Sequence, residues 1–336
     1  MESVNIRKKM LETWLHTDCA LSSLVLQPMV GDASFRRYFR VRTPKGSFVA
    51  MDAPPPQENC RPYVAIASAL RERGLLAPEV IQADLEHGFL LLTDLGDRTY
   101  LSALNKKNVD ELYHRALDAL EVMQGCHPIF NYSLPPFTRE LMWQEWAWHK
   151  EWFLEKWLGL TLLAEEELDE CYALLVETAA AQPQVFMHRD YHAGNLMVLP
   201  EKVGILDFQD AFIGPITYDP ASLLRDCYID WPPEWVTKWA LTYFKQLHQL
   251  GILPQINKED FLYWFDLMSV QRHLKALLTF ARKQVRDQQS QYLNYVPRTL
   301  MYLQQVSSKY SELTTLHRYV TEMVMPAVER VSTCVP

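Results

Sequence analysis

The sequence predicts an α+β protein of two lobes, in which a small antiparallel sheet with one main helix precedes a larger, mostly helical lobe. Two observations support this prediction. Before Asp97, short β-rich segments alternate with turn-forming stretches. After Asp97, apolar residues recur mainly at helical spacing. With 336 residues and 49% hydrophobic content, the chain is long enough to bury a sizeable core in two lobes.

The first lobe begins with a predicted helix over residues 4–14, where apolar residues have helical spacing. The following β-rich segments are "SLVLQPMV", "RYFRVRT" and "SFVAMDA", separated by the turn-forming stretches "GDASFR" and "PKG". This pattern predicts an antiparallel meander. The segment "ENCRPYVAIASALRERGL" predicts a helix that ends near Gly74, and "GFLLLTDLG" predicts a further strand.

The second lobe is predicted to be helical except at residues 185–208, where short strands surround polar loops. Five of the ten tryptophans lie between Trp143 and Trp157. Such a stripe can stack on a sugar ring, but aromatic helix faces usually fill cores, and we expect core packing here. The boundary between the lobes is predicted within residues 93–99.

Composition excludes several classes of function. The net charge of −8 argues against nucleic acid as a partner, because phosphate backbones bind to concentrated basic surfaces. The six cysteines include no C-x-x-C pair, so neither a zinc site nor a disulfide framework is expected. No run of about 18 apolar residues and no apolar leader occurs, so we expect no membrane association and a reduced, cytoplasmic protein.

The segment "MHRDYHAGNLMV" and the following "ILDFQD" place polar residues at fixed intervals between apolar runs. Asp190 and Asn195 are five residues apart, so one loop can direct a carboxylate to an acceptor hydroxyl and an amide oxygen to a metal. A hairpin made from "LMVL", "PEKVG" and "ILDF" returns Asp207 to the same place. Asn195 and Asp207 offer the oxygen ligands that Mg²⁺ prefers. The spacing therefore predicts phosphoryl transfer with magnesium.

The alternative is that these polar residues only cap turns, as Asp and Asn often do. Three such residues in this order between apolar strands favour the catalytic interpretation. Asp219 is a separate case, because it precedes Pro220 in the pattern of a helix N-cap followed by proline at the first helical position. We expect a structural role for Asp219 in preference to contact with a ligand.

The pattern H-x-D-x-x-x-x-N followed by an apolar-D-F element resembles the catalytic and metal-binding loops of the protein-kinase-like fold. More narrowly, "MHRDYHAGNLM" and "GILDFQDAFIGPITYDPASLLRD" resemble the aminoglycoside phosphotransferase family of small-molecule kinases. The resemblance implies that Asp190 is the catalytic base and that Asn195 and Asp207 bind Mg²⁺. It also implies that His188 braces the catalytic loop. Together with His188, Asp219 is predicted to support that loop.

By this resemblance, residues 1–95 form a nucleotide-binding lobe for ATP, and residues 96–336 form a catalytic and acceptor-binding lobe. The segment "GDASFRRYFRV" occupies the place of the phosphate-covering loop. Gly31 can open a tight turn, Ser34 can reach phosphate oxygens, and Arg36 or Arg37 can add positive charge. A plain hairpin turn is an equally good interpretation of this segment.

Where protein kinases have V-A-I-K, this chain has "VAMD", so Asp52 occupies the position of the phosphate-binding lysine. A carboxylate cannot bind phosphate directly. We expect an arginine such as Arg37 or Arg61 to substitute, and the alternative is a chain that has lost activity. Adenine is expected to bind backbone groups near Thr93 and Leu95.

The acceptor is suggested by charge. Residues 271–298 contain six Lys and Arg residues against one Asp. A basic helix suits an anionic or neutral hydroxyl substrate better than a polycationic antibiotic, although a solvated helix face is an equally good interpretation. Arg272 or Arg298 is the predicted partner of a substrate carboxylate.

Further stretches, among them "GFLLLTDLGDRTYL" and "QRHLKALLTFAR", resemble the bacterial anomeric kinases that phosphorylate N-acetylmuramate and N-acetylglucosamine at C1. This resemblance implies an ATP-dependent sugar kinase of cell-wall recycling, with a small amino sugar as substrate and a sugar 1-phosphate as product. The "VAMD" variation is a feature of that group. The alternatives are an aminoglycoside or choline-type kinase, or a nucleotide-binding pseudokinase. A monomer is the expected oligomeric state.

Overall fold

The structure is a computed structural model that describes residues 2–29, 35–161 and 165–333. Backbone contacts divide the chain into two compact units. The first unit consists of Met1–Leu104, Cys126–Leu134 and Asn195–Asp210. The second unit consists of Asn105–Gly125, Pro135–Gly194 and Ala211–Pro336. The predicted lobe boundaries, 1–95 and 96–336, stay predictions.

Helices and strands follow one another in an order that keeps most strands near the N-terminus. Up to Ala180 the elements are α1 (Glu2–Thr17), β1 (Val25–Pro28), β2 (Arg37–Thr43), β3 (Gly46–Asp52), α2 (Arg61–Glu72), β4 (Val80–Asp84), β5 (Phe89–Thr93), α3 (Tyr100–Ala103), α4 (Val109–Gln124), α5 (Arg139–Trp148), the π-helical segment His149–Trp157 and α6 (Glu165–Ala180). The remaining elements are β6 (Gln184–Met187), β7 (Leu196–Val198), β8 (Val203–Ile205), β9 (Phe212–Pro215), α7 (Tyr218–Leu224), α8 (Pro233–Gln249), α9 (Lys258–Asp287), the 3₁₀ segment Ser290–Tyr295, α10 (Val296–Ser307), the 3₁₀ segment Ser311–Leu313, α11 (Thr314–Arg318), the π-helical segment Tyr319–Val324 and α12 (Met325–Thr333).

The sheet of the first unit has five antiparallel strands in the order β1-β2-β3-β5-β4. This arrangement, with mostly helical elements after it, confirms the predicted α+β fold class. Strand β4 was not predicted. Its side chains are half-buried or exposed, so "VIQAD" lacks the alternation of a strand with one face in a core.

Helix α1 packs on this sheet. Leu11, Trp14 and Leu15 are buried with sheet residues such as Phe39 and Phe89. The spacing of these apolar residues places them on one face of the helix, as helical periodicity requires. The helix predicted over residues 4–14 is thus confirmed, and the structure extends it at both ends.

The first unit also contains the hairpin of β7 and β8, with Leu196 opposite Ile205 and Val198 opposite Val203. The backbone of Ile205 donates a hydrogen bond to Leu76 O at 2.8 Å. At the open end of the hairpin, Leu206 N donates to Asn195 O at 2.9 Å. The predicted hairpin is therefore confirmed, and it brings the backbone at residues 195 and 206 together.

The second unit is built around α9, which contributes several buried residues to a large apolar core, among them Leu267, Leu274 and Phe280. Trp146 is buried in that core and stacks on Tyr172 with ring centroids 4.9 Å apart. Trp143 and Trp157 pack against the same core. Core packing is therefore confirmed for these three tryptophans. None of the described helices is long and apolar enough to cross a membrane.

Candidate active site

In the second unit, two buried carboxylates hold the loop that carries Asp190. Asp219 accepts hydrogen bonds from the backbone N–H groups of His188 at 2.7 Å and Arg189 at 3.0 Å. Asp226 accepts one from Ala193 N at 2.9 Å. Since both carboxylates are almost inaccessible to solvent, these bonds are sheltered from competing water. The loop is therefore fixed at both of its ends.

The predicted N-cap role of Asp219 is wrong. Helix α7 begins at Tyr218 and its N-cap residue is Thr217, so Asp219 lies inside the first turn. Its carboxylate accepts from the loop amides instead of from its own helix. Burial raises the pKa of Asp219 to about 7, against the two backbone hydrogen bonds, which lower it.

The backbone of the loop is locally strained. Arg189 has a φ of 75°, in the left-handed region that residues other than glycine rarely adopt. The two amides bound by Asp219 are that of Arg189 itself and that of the residue before it, so the carboxylate helps to maintain this strained position. His188 is fully buried, and its Nδ1 accepts from Asp190 N at 3.3 Å. His188 thus contacts the loop in the way expected of a bracing residue, although its functional role stays a prediction.

Asp190 lines a small, highly charged cavity of about 60 Å³. The cavity is lined by Asp190, His192, Cys227, Tyr228, Arg272, Lys275, Ala276, Thr279 and Phe280. The Asp190 side chain is 38% exposed, and its Oδ1 lies 3.5 Å from Lys275 Nζ. Desolvation raises the pKa of Asp190, but nearby positive charges, foremost that of Lys275, outweigh it and hold that pKa below its usual value.

The two arginines predicted to bind a substrate carboxylate lie in different surroundings. Arg272 lines the 60 Å³ cavity and is 6% exposed, with Nη1 3.9 Å from Cys227 Sγ. Arg298 does not line that cavity, and its Nη1 donates to Cys227 O at 3.2 Å. Their binding roles stay predictions, and the geometry favours Arg272.

The first unit has a larger cavity of about 360 Å³, a volume typical of small-ligand sites. It is lined by Met29, Arg36, Tyr38, Val49, Tyr63, Pro78, Leu92, Thr93, Asp94, Leu95, Gly96, Asn195, Met197, Leu206, Asp207 and Asp210. The lining thus includes Thr93 and Leu95, which were predicted to contact adenine. Thr93 N donates to Glu79 O, whereas the backbone of Leu95 makes no hydrogen bond within the described part of the chain.

Asn195 and Asp207 line this same cavity, with Asn195 Nδ2 3.5 Å from Asp207 Oδ2. Asp207 has a φ of 60°, a second left-handed residue, and its Oδ1 accepts from Gln209 Nε2 at 2.7 Å. A carboxylate and an amide oxygen fit Mg²⁺, which usually takes few protein ligands and completes its shell with phosphate and water oxygens. No cluster of three or more His, Cys, Asp or Glu residues that could hold a metal occurs among the described residues.

Asp52 binds two arginines. It is fully buried, its Oδ1 accepts from Arg7 at 2.5 Å, and its Oδ2 accepts from Arg37. Arg37, predicted to bind the nucleotide, does not line the 360 Å³ cavity. Arg36 does, and it forms ion pairs with Glu58 at 2.8 Å and Asp210 at 3.4 Å.

Three further predicted residues do not enter this description of the cavity. Gly31 and Ser34 lie outside the described residues, so their predicted contacts with phosphate stay predictions. Arg61, the other suggested substitute for the missing lysine, is exposed at the first turn of α2 and does not line the cavity.

The residues missed as site residues are Lys275 and Asp226. Lys275 was counted only among the charges of a basic helix. The signal that could have identified it is its spacing of three residues from Arg272, which places both on one helix face. Asp226 has no comparable signal, because its contact with Ala193 joins residues 33 positions apart.

Comparison with known proteins gives matches over most of the chain. The sequence profile of the phosphotransferase enzyme family matches residues 25–254. An N-acetylmuramate/N-acetylglucosamine kinase from Pseudomonas aeruginosa is 43% identical over 87% of this chain and 86% of its own length. A kinase of the same name from Neisseria meningitidis is 37% identical over 95% of this chain and 96% of its own length.

Solved structures share the fold at low sequence identity. A choline/ethanolamine kinase family protein from Mesorhizobium loti matches 96% of this chain and 99% of its own, with a TM-score of 0.64 and 14% identity. The ADP-bound aminoglycoside phosphotransferase APH(2'')-Ib matches 87% of this chain and 97% of its own, with a TM-score of 0.55 and 16% identity. These likenesses support the two-lobed protein-kinase-like fold.

Proposed function

The chain belongs to the phosphotransferase enzyme family, and we propose that it transfers the γ-phosphoryl group of ATP to the anomeric hydroxyl of N-acetylmuramate or N-acetylglucosamine. The product is the sugar 1-phosphate, which serves cell-wall recycling. The observation that carries this proposal is the match to two kinases of that name over 87% and 95% of the chain. The positively charged acceptor-side cavity supports it independently.

Asp190 is proposed to orient the anomeric hydroxyl and to take its proton. Because its pKa is held low, Asp190 stays ionised at neutral pH and always offers the hydroxyl an acceptor oxygen. A carboxylate with a low pKa is a weak base, so the proton transfers late, when the bond to phosphorus has already begun to form. Positioning therefore contributes more than basicity.

The 360 Å³ cavity of the first unit is proposed to bind the nucleotide. Apolar side chains such as Val49 and Leu92 offer a surface for adenine, and the backbone of Leu95 offers it hydrogen bonds. Asn195 and Asp207 are proposed to hold Mg²⁺ by their side-chain oxygens. When bound, the ion neutralises charge on the phosphate oxygens.

The missing lysine is proposed to be replaced by Arg36 rather than Arg37. Arg36 faces the cavity, whereas Arg37 is bound by the buried Asp52. Burial lowers the pKa of Arg36, but acidic neighbours, led by Asp210, raise it above its ordinary value. The guanidinium therefore remains charged and can exchange a carboxylate partner for a phosphate.

Arg272 is proposed to bind the lactyl carboxylate of N-acetylmuramate. The cavity of 60 Å³ is too small for a sugar ring, but it has room for a group of a few atoms such as a carboxylate. A substrate without this group loses the ion pair and is expected to bind more weakly. Arg298, a cytoplasmic location and a monomeric state stay predictions of the sequence.

The test is ATP consumption by the purified protein with Mg²⁺ and one acceptor at a time from N-acetylmuramate, N-acetylglucosamine, kanamycin and choline. The product is then examined by proton-coupled phosphorus NMR. A phosphate on C1 couples to a single carbon-bound proton, whereas a phosphate on C6 couples to two. An anomeric phosphate also removes the reducing end, which a reducing-sugar assay detects independently.

A sugar 1-phosphate supports the proposal. Turnover with kanamycin or choline alone would leave the family and its catalytic chemistry in place but overturn the acceptor. Nucleotide binding without turnover of any acceptor would favour a pseudokinase. The control is Asp190→Asn, in which Mg²⁺-dependent consumption of ATP above the acceptor-free rate should fall by about 10²- to 10⁴-fold.

A further inference from the structure

Helix α9 presents a continuous face to the 60 Å³ cavity. Arg272, Lys275 and Thr279 line the cavity at spacings of three and four residues, as successive turns of one helix face require. The helix thus supplies one arginine and one lysine to the cavity that contains Asp190.

Lys275 forms its ion pair with Asp190, and its charge also acts on the buried Glu145. Its Nζ lies 3.5 Å from Asp190 Oδ1, and among the described residues no other carboxylate lies within ion-pair distance of it. Its side chain is 18% exposed, so solvent screens the pair only partly. A charge-assisted hydrogen bond is usually 2.7–2.9 Å, and the longer separation leaves both groups able to adjust to a substrate.

The two arginines near Asp190 have partners of their own. Arg189 Nη2 lies 3.6 Å from Glu145 Oε1, and its guanidinium stacks on Phe212 at 4.6 Å. Arg272 is buried, with Nη1 3.9 Å from Cys227 Sγ. Lys275 is therefore the cation best placed to act on the Asp190 carboxylate itself.

We propose that Lys275 is a positioning residue, which holds one carboxylate oxygen of Asp190 so that the other accepts the hydroxyl proton of the sugar. This inference rests on the proposed function. In the reaction, the acceptor O–H bond breaks and its oxygen bonds to the γ-phosphorus. The bond from phosphorus to the β,γ-bridging oxygen breaks, and ADP leaves. The proton passes to Asp190 and then to solvent, while Lys275 keeps its own proton throughout.

The first test compares Lys275→Met and Lys275→Arg with the matched control Lys258→Met, at an exposed position at the start of the same helix. Lys275→Met should lower kcat about 10- to 100-fold, part of the effect that a positioned acid or base exerts. Its KM for ATP should stay within about twofold of wild type, because Lys275 does not line the 360 Å³ cavity proposed to bind the nucleotide. Lys275→Arg should recover part of kcat, and Lys258→Met should match wild type.

The second test is the pH dependence of kcat, which a merely structural lysine would not move. The acidic limb of the kcat profile reflects protonation of Asp190. In Lys275→Met the positive charge is gone, so this limb should move to higher pH by about one to three units, the effect of one nearby opposite charge. Other charged or titratable groups also interact electrostatically with Asp190 and remain in the variant. They are Arg189, His192, Arg272, Glu145, Tyr218 and Asp219.

The third test separates action through Asp190 from direct action on the substrate. The double variant with Asp190→Asn and Lys275→Met is compared with Asp190→Asn alone. Its residual single-turnover rate should differ by less than about twofold, because the effects of two residues that act as a unit do not add. A further loss of about tenfold would mean that Lys275 contacts the sugar or the phosphoryl group directly, and would overturn the proposal. So would a Lys275→Met enzyme with wild-type kcat and pH profile.

The single variant's pH profile decides the question if the residual rate of Asp190→Asn falls below background. Failure of the proposed function is separately recognisable, because it appears in the wild-type enzyme as the absence of turnover with amino sugars. If wild type uses another acceptor, the same variants are measured with that acceptor, and the inference stands or falls on the same ratios.

Discussion

The two cavities differ in size and in character. The cavity of the first unit measures about 360 Å³ and is lined by apolar side chains such as Val49 and Leu92, with Asn195 and Asp207 among its polar members. The cavity of the second unit measures about 60 Å³ and contains Asp190 with two cations. The first suits recognition by shape and apolar burial, and the second suits recognition by charge. Changes in the two cavities should therefore have separable effects.

Asp190→Asn should give the largest effect. The amide keeps the shape of the side chain but cannot take a proton, so kcat with amino sugars should fall by about 10²- to 10⁴-fold. Nucleotide affinity, measured by calorimetry, should remain within about twofold, since Asp190 does not line the 360 Å³ cavity. A large loss of nucleotide affinity would contradict the division of roles between the cavities.

Asp207→Asn should give the next largest effect, and it should impair the use of MgATP rather than the binding of the sugar. Losing the carboxylate weakens the proposed Mg²⁺ site, so kcat/KM for MgATP should fall about 100-fold, consistent with the several kcal/mol that a metal ion contributes. A Mg²⁺ titration should show a higher half-saturating concentration. Binding of the sugar alone should be unchanged, and an unchanged Mg²⁺ requirement would exclude Asp207 as a ligand.

Asp219→Ala should reduce stability as well as activity. It leaves the buried amide of His188 without its acceptor, at a cost of about 1–3 kcal/mol, and the half-buried amide of Arg189 without its acceptor at a smaller cost. The unfolding midpoint in denaturant should fall accordingly, and kcat should fall with it. Asp219→Asn keeps one acceptor oxygen and should lose less. The exposed Asp230→Ala, in the same region of the chain, is the control and should match wild type.

The smallest effect concerns pH. Burial lowers the pKa of His149 to about 4. In the unfolded chain a histidine titrates near 6.5, so below that pH the unfolded state binds a proton that the folded state does not, and stability falls. As the pH falls from 6.5 to 5, the free energy of unfolding of His149→Asn should therefore decrease by about 1–2 kcal/mol less than that of wild type. Equal slopes of unfolding free energy against pH would contradict the buried neutral histidine.

The first unit should lose stability at a lower pH than the surroundings of His149. Burial raises the pKa of Asp94, but hydrogen bonds from Ser47, Gly96 N and Arg40 outweigh it and hold that pKa below its usual value. The stabilisation that Asp94 provides is complete above its unfolded pKa near 4 and is lost only as pH falls below that. Hydrogen exchange at pH 5 should thus show weakening around His149 before strands β3 and β5.

Much of the fold was predictable because local patterns carry it. "RYFRVRT" coincides with strand β2, and the turn residues between "LMVL" and "ILDF" predict the hairpin of β7 and β8. Strand β4 was missed because no face of it is fully buried, so its sequence lacks a period. The pattern of an amphipathic element is informative only where a core exists on one side.

The candidate site was predictable in part. The spacing that led to the prediction of Asp190, Asn195 and Asp207 is visible in a single sequence. The residues that contact Asp190 and its loop have no such spacing. Lys275 and Asp226 reach them only through the packing of segments that are distant in the sequence. Arg36 and Arg37 show the same limit, because adjacent residues with identical side chains enter different surroundings.

The placement of the loop supports has a consequence for how this protein can diversify. Asp219 in the first turn of the short helix α7 and Asp226 just after that helix fix the loop, whereas Arg272, Lys275 and Thr279 of α9 line the 60 Å³ cavity. Substitutions on that face of α9 can therefore retune the choice of sugar while the supports of the loop persist. A library restricted to positions 272, 276 and 279 should yield folded enzymes with altered acceptor preference more often than one that includes 219 or 226.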